Sequence, residues 1–143
     1  MNAPLSLHRP PSLRAHRISP GDTVRLAVIA GPAQGLDHAV VFEMWDAGGS
    51  QPPNSHPRSV ETFLFLSGRG TAHSDGTSAP VEAGDLLVLP AGTTHHIIAD
   101  RGVPLYAITT MVPDAGFAAL IDSGPGAELT AEDLAVLVGP PAP

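Results

Sequence analysis

The chain has 143 residues, 43% of them hydrophobic, with seven basic and fourteen acidic side chains and a formal net charge of -7. That length supports one domain with a real core, while the acidic balance argues against the basic footprint a nucleic-acid binder needs. Cysteine is absent, which removes disulfides, thiolate ligands and a cysteine nucleophile, and no apolar run approaches the roughly 18 residues of a membrane span.

Residues 1–19 carry Arg9, Arg14 and Arg17, three prolines by Pro11 and no acidic residue. They lack the apolar core of a secretory signal, so an extended arm over the fold or a partner subunit, and a cytoplasmic protein, are expected. Residues 20–113 read as short strands cut by turns. Thr23 to Ala30, Ala39 to Asp46, Glu61 to Leu66, Gly70 to His73, Leu86 to Leu89, His95 to Ala99 and Pro104 to Val112 are rich in β-branched, aromatic and aliphatic residues. Gly and Pro punctuate them, and Asp75-Gly76 is a hairpin-turn signal. Strands at this spacing predict an all-β, antiparallel sandwich or barrel. Several are apolar on both faces: Phe63 and Phe65 share one face of their strand, Leu64 and Leu66 the other. A strand with one wet face should alternate, so a second sheet, a terminal arm or another subunit covers the outer face, and a homodimer is expected. Residues 114–143 change pattern. Phe117, Leu120 and Ile121 have helical spacing, and Thr130-Ala-Glu-Asp133 reads as a capping box ahead of Leu134, Leu137 and Val138. Short C-terminal helices and a Pro-rich tail are expected.

Two glycine-bounded windows carry the chemistry. The first, from Gly49 to Gly68, holds Asn54, His56 and Glu61. Asn54 and His56, two apart, share a strand face, whereas Glu61 needs a bend to join them, and Pro57 disfavours regular pairing between. The second, Gly84 to Ala99, offers His95 from a neighbouring strand. Convergence of such groups inside a small barrel makes a ligand cavity. His96 faces away from His95 and belongs to a surface or interface. His73 is either solvated or a hydrogen-bonding neighbour of the site. His8, His16 and His38 read as solvated, Trp45 and Tyr106 as packed aromatics, and Glu43, alternating with Val41 and Trp45, as a surface residue.

The two windows resemble the paired motifs of the cupin superfamily, G(X)5HXH(X)3–4E(X)6G and G(X)5PXG(X)2H(X)3N, in a small single-domain form. His56 stands at the second histidine, Glu61 at the glutamate and Gly68 at the closing glycine. Gly84, Pro90, Gly92 and His95 match the second motif, with Ala99 in place of its asparagine. The wording from Pro52 to Glu61 is similar to the germin-like version. The resemblance implies a jelly-roll barrel whose site holds Fe, Mn, Ni, Zn or Cu on three histidines and a glutamate. Asn54 occupies the first of those histidine positions, leaving His56, Glu61 and His95, the composition of a 2-His-1-carboxylate triad that suits Fe(II). Asn54 would then be a weak oxygen ligand, orient a bound water, or mark a lost metal site.

The expectation drawn from this is a metal-dependent enzyme acting on a small organic molecule, foremost a dioxygenase. A non-redox isomerase, lyase or cyclase using the metal as a Lewis acid is the alternative, with Glu61 as general base if it is not a ligand. A metal-free binding or sensing module is the other.

Overall fold

The computed structural model describes residues 5–140 and 142–143; residues 1–4 of the expected arm and Pro141 of the expected tail lie outside them. Ten strands form two antiparallel sheets. They are β1 (Ala15–His16), β2 (Val24–Ala30), β3 (Ala39–Trp45), β4 (Val60–Ser67), β5 (Arg69–Ser74), β6 (Thr77–Glu82), β7 (Leu86–Leu89), β8 (His95–Ala99), β9 (Leu105–Val112) and β10 (Gly126–Ala127). The larger sheet runs β10-β1-β2-β3-β9-β4-β7 and the smaller β6-β5-β8. Two short helices follow β9, α1 (Phe117–Asp122) and α2 (Ala131–Val138). The expected all-β jelly roll with C-terminal helices is the fold observed.

Strand parity decides what lies between the sheets. Val24 and Leu26, Val41 and Trp45, Phe63 and Phe65, Leu105 and Ala107, and Ile97 pack into one buried core. Its aromatic centre is Trp45, 6.1 Å from Phe63 and 6.4 Å from Phe65, centroid to centroid. These three side chains are almost wholly buried, and truncating either Phe to Ala would cost about 3–5 kcal/mol. The turn after β4 leaves no room for a side chain. A Cβ on Gly68, whose φ is +87°, would meet the Pro104 carbonyl oxygen at 2.0 Å, so glycine is required there twice over.

The second apolar face of the large sheet is covered in part by the chain's own ends. Ala27, Phe42, Met44 and Tyr106 point outward from β2, β3 and β9 and bury against Leu13 of the arm and Val136 and Leu137 of α2. One carboxylate fastens that cover. Asp133 accepts from Arg25 Nη1 at 2.5 Å, from Arg25 Nη2 at 3.2 Å and from the Tyr106 hydroxyl at 2.8 Å. It also closes the expected capping box, accepting from the Thr130 amide while its own amide donates to Thr130 Oγ1. Burial alone would raise its pKa, but these donors, Arg25 foremost, bring it down to about 2. The arm takes part too: β1 pairs with both β2 and β10. Over β4 and β7 the outer face stays open, with Val60, Leu64, Leu86 and Val88 exposed.

Three readings need correction. Thr77 to Glu82 form a strand that composition does not announce. Only Val81 of β6 is buried, so no period-two apolar signal exists, and Pro80 is tolerated because β6 is a sheet edge. His16 is not solvated: it sits in β1, and its buried Nδ1 has no hydrogen-bond partner among the described residues. Glu43 is no surface residue. It has the parity expected, beside Val41 and Trp45, but that face is the inner one, and Glu43 is only 4% exposed.

Candidate metal centre

Backbone hydrogen bonds bring the two windows together. Asn54 and His95 exchange both amide-to-carbonyl bonds, at 3.0 and 2.8 Å, and the Gly92 amide donates to the His56 carbonyl at 2.8 Å. Gly92 makes this turn with a φ of +83°, which glycine adopts without strain. The bend that Pro57 and Arg58 put between His56 and β4 then carries Glu61 round to the same point.

There His56, Glu61 and His95 meet, their ligand atoms all within 4.8 Å of one another. His56 Nε2 lies 3.5 Å and His95 Nε2 2.9 Å from Glu61 Oε1. Close as these contacts are, Glu61 Oε1 is buried with no hydrogen bond of acceptable geometry among the described residues. A carboxylate oxygen buried in that state costs free energy unless something else satisfies it. Burial pushes the Glu61 carboxyl up, but the two imidazoles outweigh it and hold it below its ordinary range. His95 Nδ1 lies 3.2 Å from the Thr93 carbonyl. A proton donated there leaves the Nε2 lone pair facing Glu61, the tautomer and orientation a metal ligand needs. Without a metal, the N–H or charge of the imidazoles stabilises the Glu61 carboxylate; a divalent transition metal would take the place of those protons, with His56, Glu61 and His95 as its holders.

Asn54 lies beside them. Its Nδ2 donates to the Pro52 carbonyl at 3.2 Å, and its Oδ1 is buried without a partner among the described residues. The unspent end is therefore the oxygen, the atom a weak ligand or a water acceptor would offer.

The triad opens into a cavity of about 240 Å³. Helix α1 closes one side, where the Phe117 ring meets His56 edge-on at 5.9 Å. Sequence reasoning missed two polar groups in that cavity. Glu43 Oε2 accepts from the Thr109 hydroxyl at 2.7 Å, and Gln51 Oε1 accepts from the Trp45 indole N–H at 2.7 Å; both residues line the space. Burial foremost, and then the charge of Glu61, push the Glu43 carboxyl up to about 8, against a small lowering by Thr109. The remaining histidines stay out. His96 faces outward as expected, and His73, opposite it in the ladder, stacks on its ring at 4.7 Å instead of supporting the triad.

The Cupin domain family matches residues 41–111. Solved structures agree in fold. KdgF from Halomonas sp. superposes with a TM-score of 0.67 at 19% identity, over 78% of this chain and 98% of that one. A predicted oxalate decarboxylase from Thermotoga maritima gives 0.67 at 22% identity, over 76% and 99%. Vicilin from hazelnut, Corylus avellana, gives 0.62 at 23% identity over 71% of this chain and 33% of its own. No curated protein matches the sequence. With the family match and the barrel in agreement, the chain is a small cupin-domain protein. At these identities the structural likeness speaks for the fold alone. No helix among the described residues is long and apolar enough to cross a membrane.

Proposed function

We propose that this cupin is a metal-dependent enzyme acting on a small organic molecule, with His56, Glu61 and His95 holding one divalent transition metal, foremost Fe(II). The observation that carries this reading is the buried, unbonded Oε1 of Glu61 facing two imidazole nitrogens. When bound, an Fe(II) on a 2-His-1-carboxylate set supplies open positions for substrate and O2, the basis of dioxygenase chemistry. The chain's own residues do the rest. Thr93 fixes the His95 ring, Phe117 packs edge-on against the His56 ring, and Asn54 offers a neutral oxygen to a weakly held group. The test is metal analysis of protein purified without an affinity tag. One equivalent of a transition metal per chain is expected, and it should vanish in His56→Ala and in His95→Ala.

One observation favours a non-redox reading, an isomerase, lyase or cyclase, as the second choice. A carboxyl with the raised pKa of Glu43 stands in the same cavity and can hold or release a proton near neutral pH. Consumption of O2 by the Fe(II)-loaded protein with a turned-over substrate separates the two.

We also infer a homodimer in which a second copy covers the open face of β4 and β7. Its exposed side chains Val60, Leu64, Leu86 and Val88 carry no charge, so two copies meet there without the like-charge repulsion that a net charge of -7 imposes elsewhere. Because β7 is a sheet edge, the same contact would protect it. Leu86→Arg should yield a monomer by light scattering if this holds; an unmutated protein that is already monomeric at micromolar concentration contradicts it.

A further inference from the structure

The cavity is charged on one side only. Three carboxyl residues line it, Asp22, Glu43 and Glu61, and no arginine does among the described residues. The chain has no lysine to offer. Arg25 pairs with Asp133 on the outer face, Arg69 pairs with Asp100, and Arg17 donates to the Asp22 backbone carbonyl, while Arg58 lines a neighbouring pocket with His56 and Phe117 rather than this one. An anionic ligand would enter such a space without a side-chain counter-charge, which burial makes expensive.

The uncharged lining fixes where a ligand's polar end must sit. Ile18, Val24, Leu26 and Leu120 supply an apolar surface. Glu43 is nearly fully buried, and Thr109 satisfies only its Oε2; Oε1 has no partner among the described residues. Gln51 has spent its oxygen on Trp45, whose indole can only donate, so the Gln51 amide N–H groups are what it has left. An acceptor and a donor therefore remain beside an apolar wall. A hydroxyl on an apolar body uses them both, and an ammonium uses the carboxyl oxygen.

We propose that Glu43 is the anchor for the polar end of a neutral or cationic apolar ligand, an alcohol, phenol or amine, and that the side chains of the metal-free cavity disfavour carboxylates and phosphates. This rests on the reading of the same cavity as the substrate site. Toward an ammonium Glu43 releases its proton to solvent and accepts the ligand's N–H; toward an alcohol or phenol it keeps the proton and donates it to the hydroxyl oxygen, with Thr109 holding the carboxyl in place.

The test is calorimetric binding of benzylamine, benzyl alcohol and benzoate at neutral pH. The three share a ring and differ in charge, and they are measured on metal-free and on zinc-loaded protein with zinc content determined in parallel. Benzylamine should bind the metal-free protein at least about tenfold more tightly than benzoate, the scale of one charge-assisted hydrogen bond. At neutral pH the unliganded cavity leaves a proton on Glu43, and an ammonium beside it drives that proton to solvent. Glu43→Gln cannot develop that charge, so this variant should weaken benzylamine about tenfold in both forms and leave benzyl alcohol within about threefold. It should leave zinc content unchanged. Benzoate binding the metal-free protein as tightly as benzylamine, an unaltered amine preference in Glu43→Gln, or no saturable binding by any of the three would each overturn the proposal. Because the metal-free arm needs no zinc, failure of the ligand series and failure of the metal centre register separately.

Discussion

Glu61 and Glu43 are two buried carboxyls on the inner face of one sheet, two strands apart, and they behave oppositely. Each is 4% exposed, and each lines the same cavity. Glu61 faces two imidazole nitrogens and is held below its ordinary pKa range in spite of burial. Glu43 has one neutral hydroxyl for company, so burial and the charge of Glu61 push it up to about 8. Burial alone therefore does not decide the charge of a carboxyl here; the partners do. The outcome is a division of labour between an anion fit to hold a metal and a proton-bearing group beside it.

The largest effect that would break this comparison is on metal affinity. Glu61→Gln should weaken binding about a hundredfold or more, since a charged ligand becomes a neutral amide, whereas Glu43→Gln should change it by less than about threefold. Equal losses in a titration of both variants would mean that the two carboxyls share one role. Next comes the pH dependence of stability in metal-free protein. For Glu43 the folded pKa lies above the ordinary 4.5, so its contribution is complete below pH 4.5 and is lost as pH rises toward about 8. Glu61, lowered, contributes in the opposite sense and loses its share as pH falls below 4.5. Glu43→Gln should thus flatten the decline between pH 4.5 and 8, with a gain on the order of a few kcal/mol at the alkaline end. A denaturation midpoint series across pH reads this directly, and an unchanged slope would remove the raised pKa from the account.

Two smaller changes sharpen the contrast. Asn54→His should supply a further imidazole and tighten metal binding by roughly 10–100-fold, while Asn54→Ala, losing only a neutral oxygen, should weaken it modestly. Thr109→Val deletes the one donor to Glu43 and should cost about 1 kcal/mol in chemical denaturation without altering metal stoichiometry. A loss of metal in Thr109→Val would show that Glu43 supports the triad after all.

Much of the site was legible because its signals are local. Glycine-bounded windows and the bend at Pro57 gather the ligand types before any fold is known, whereas the strand expected under Asn54 and His56 is only an isolated bridge at Asn54. The barrel was legible from strand spacing, and the capping box at Thr130 from four residues. Glu43 was not, because parity fixes which residues share a face and not which face is inside. Both faces of β3 are apolar around it, and Phe42 and Met44 turned out to be the outer ones. The companions Ala39, Val41 and Trp45 on its own face were the available signal, and a charged residue among them should have read as a buried site group. Cover over the outer face was likewise foreseeable only in kind. That the arm and α2 provide it rests on Asp133 finding Arg25 from 108 residues away in sequence, a pairing no local pattern announces. Strand β6 escaped because an exposed edge needs no apolar rhythm.

The central claim is that His56, Glu61 and His95 hold a metal although Asn54 stands in the remaining motif position. The most direct measurement is an anaerobic titration of the metal-free protein with Fe(II), Mn(II), Ni(II) and Zn(II), beside His95→Ala and Asn54→His. Saturable binding of one equivalent by the unmutated protein, lost in His95→Ala and tightened in Asn54→His, is the predicted result. Binding of none of the four metals by the unmutated protein, with binding restored in Asn54→His, would contradict it and leave a metal-free binding module in its place.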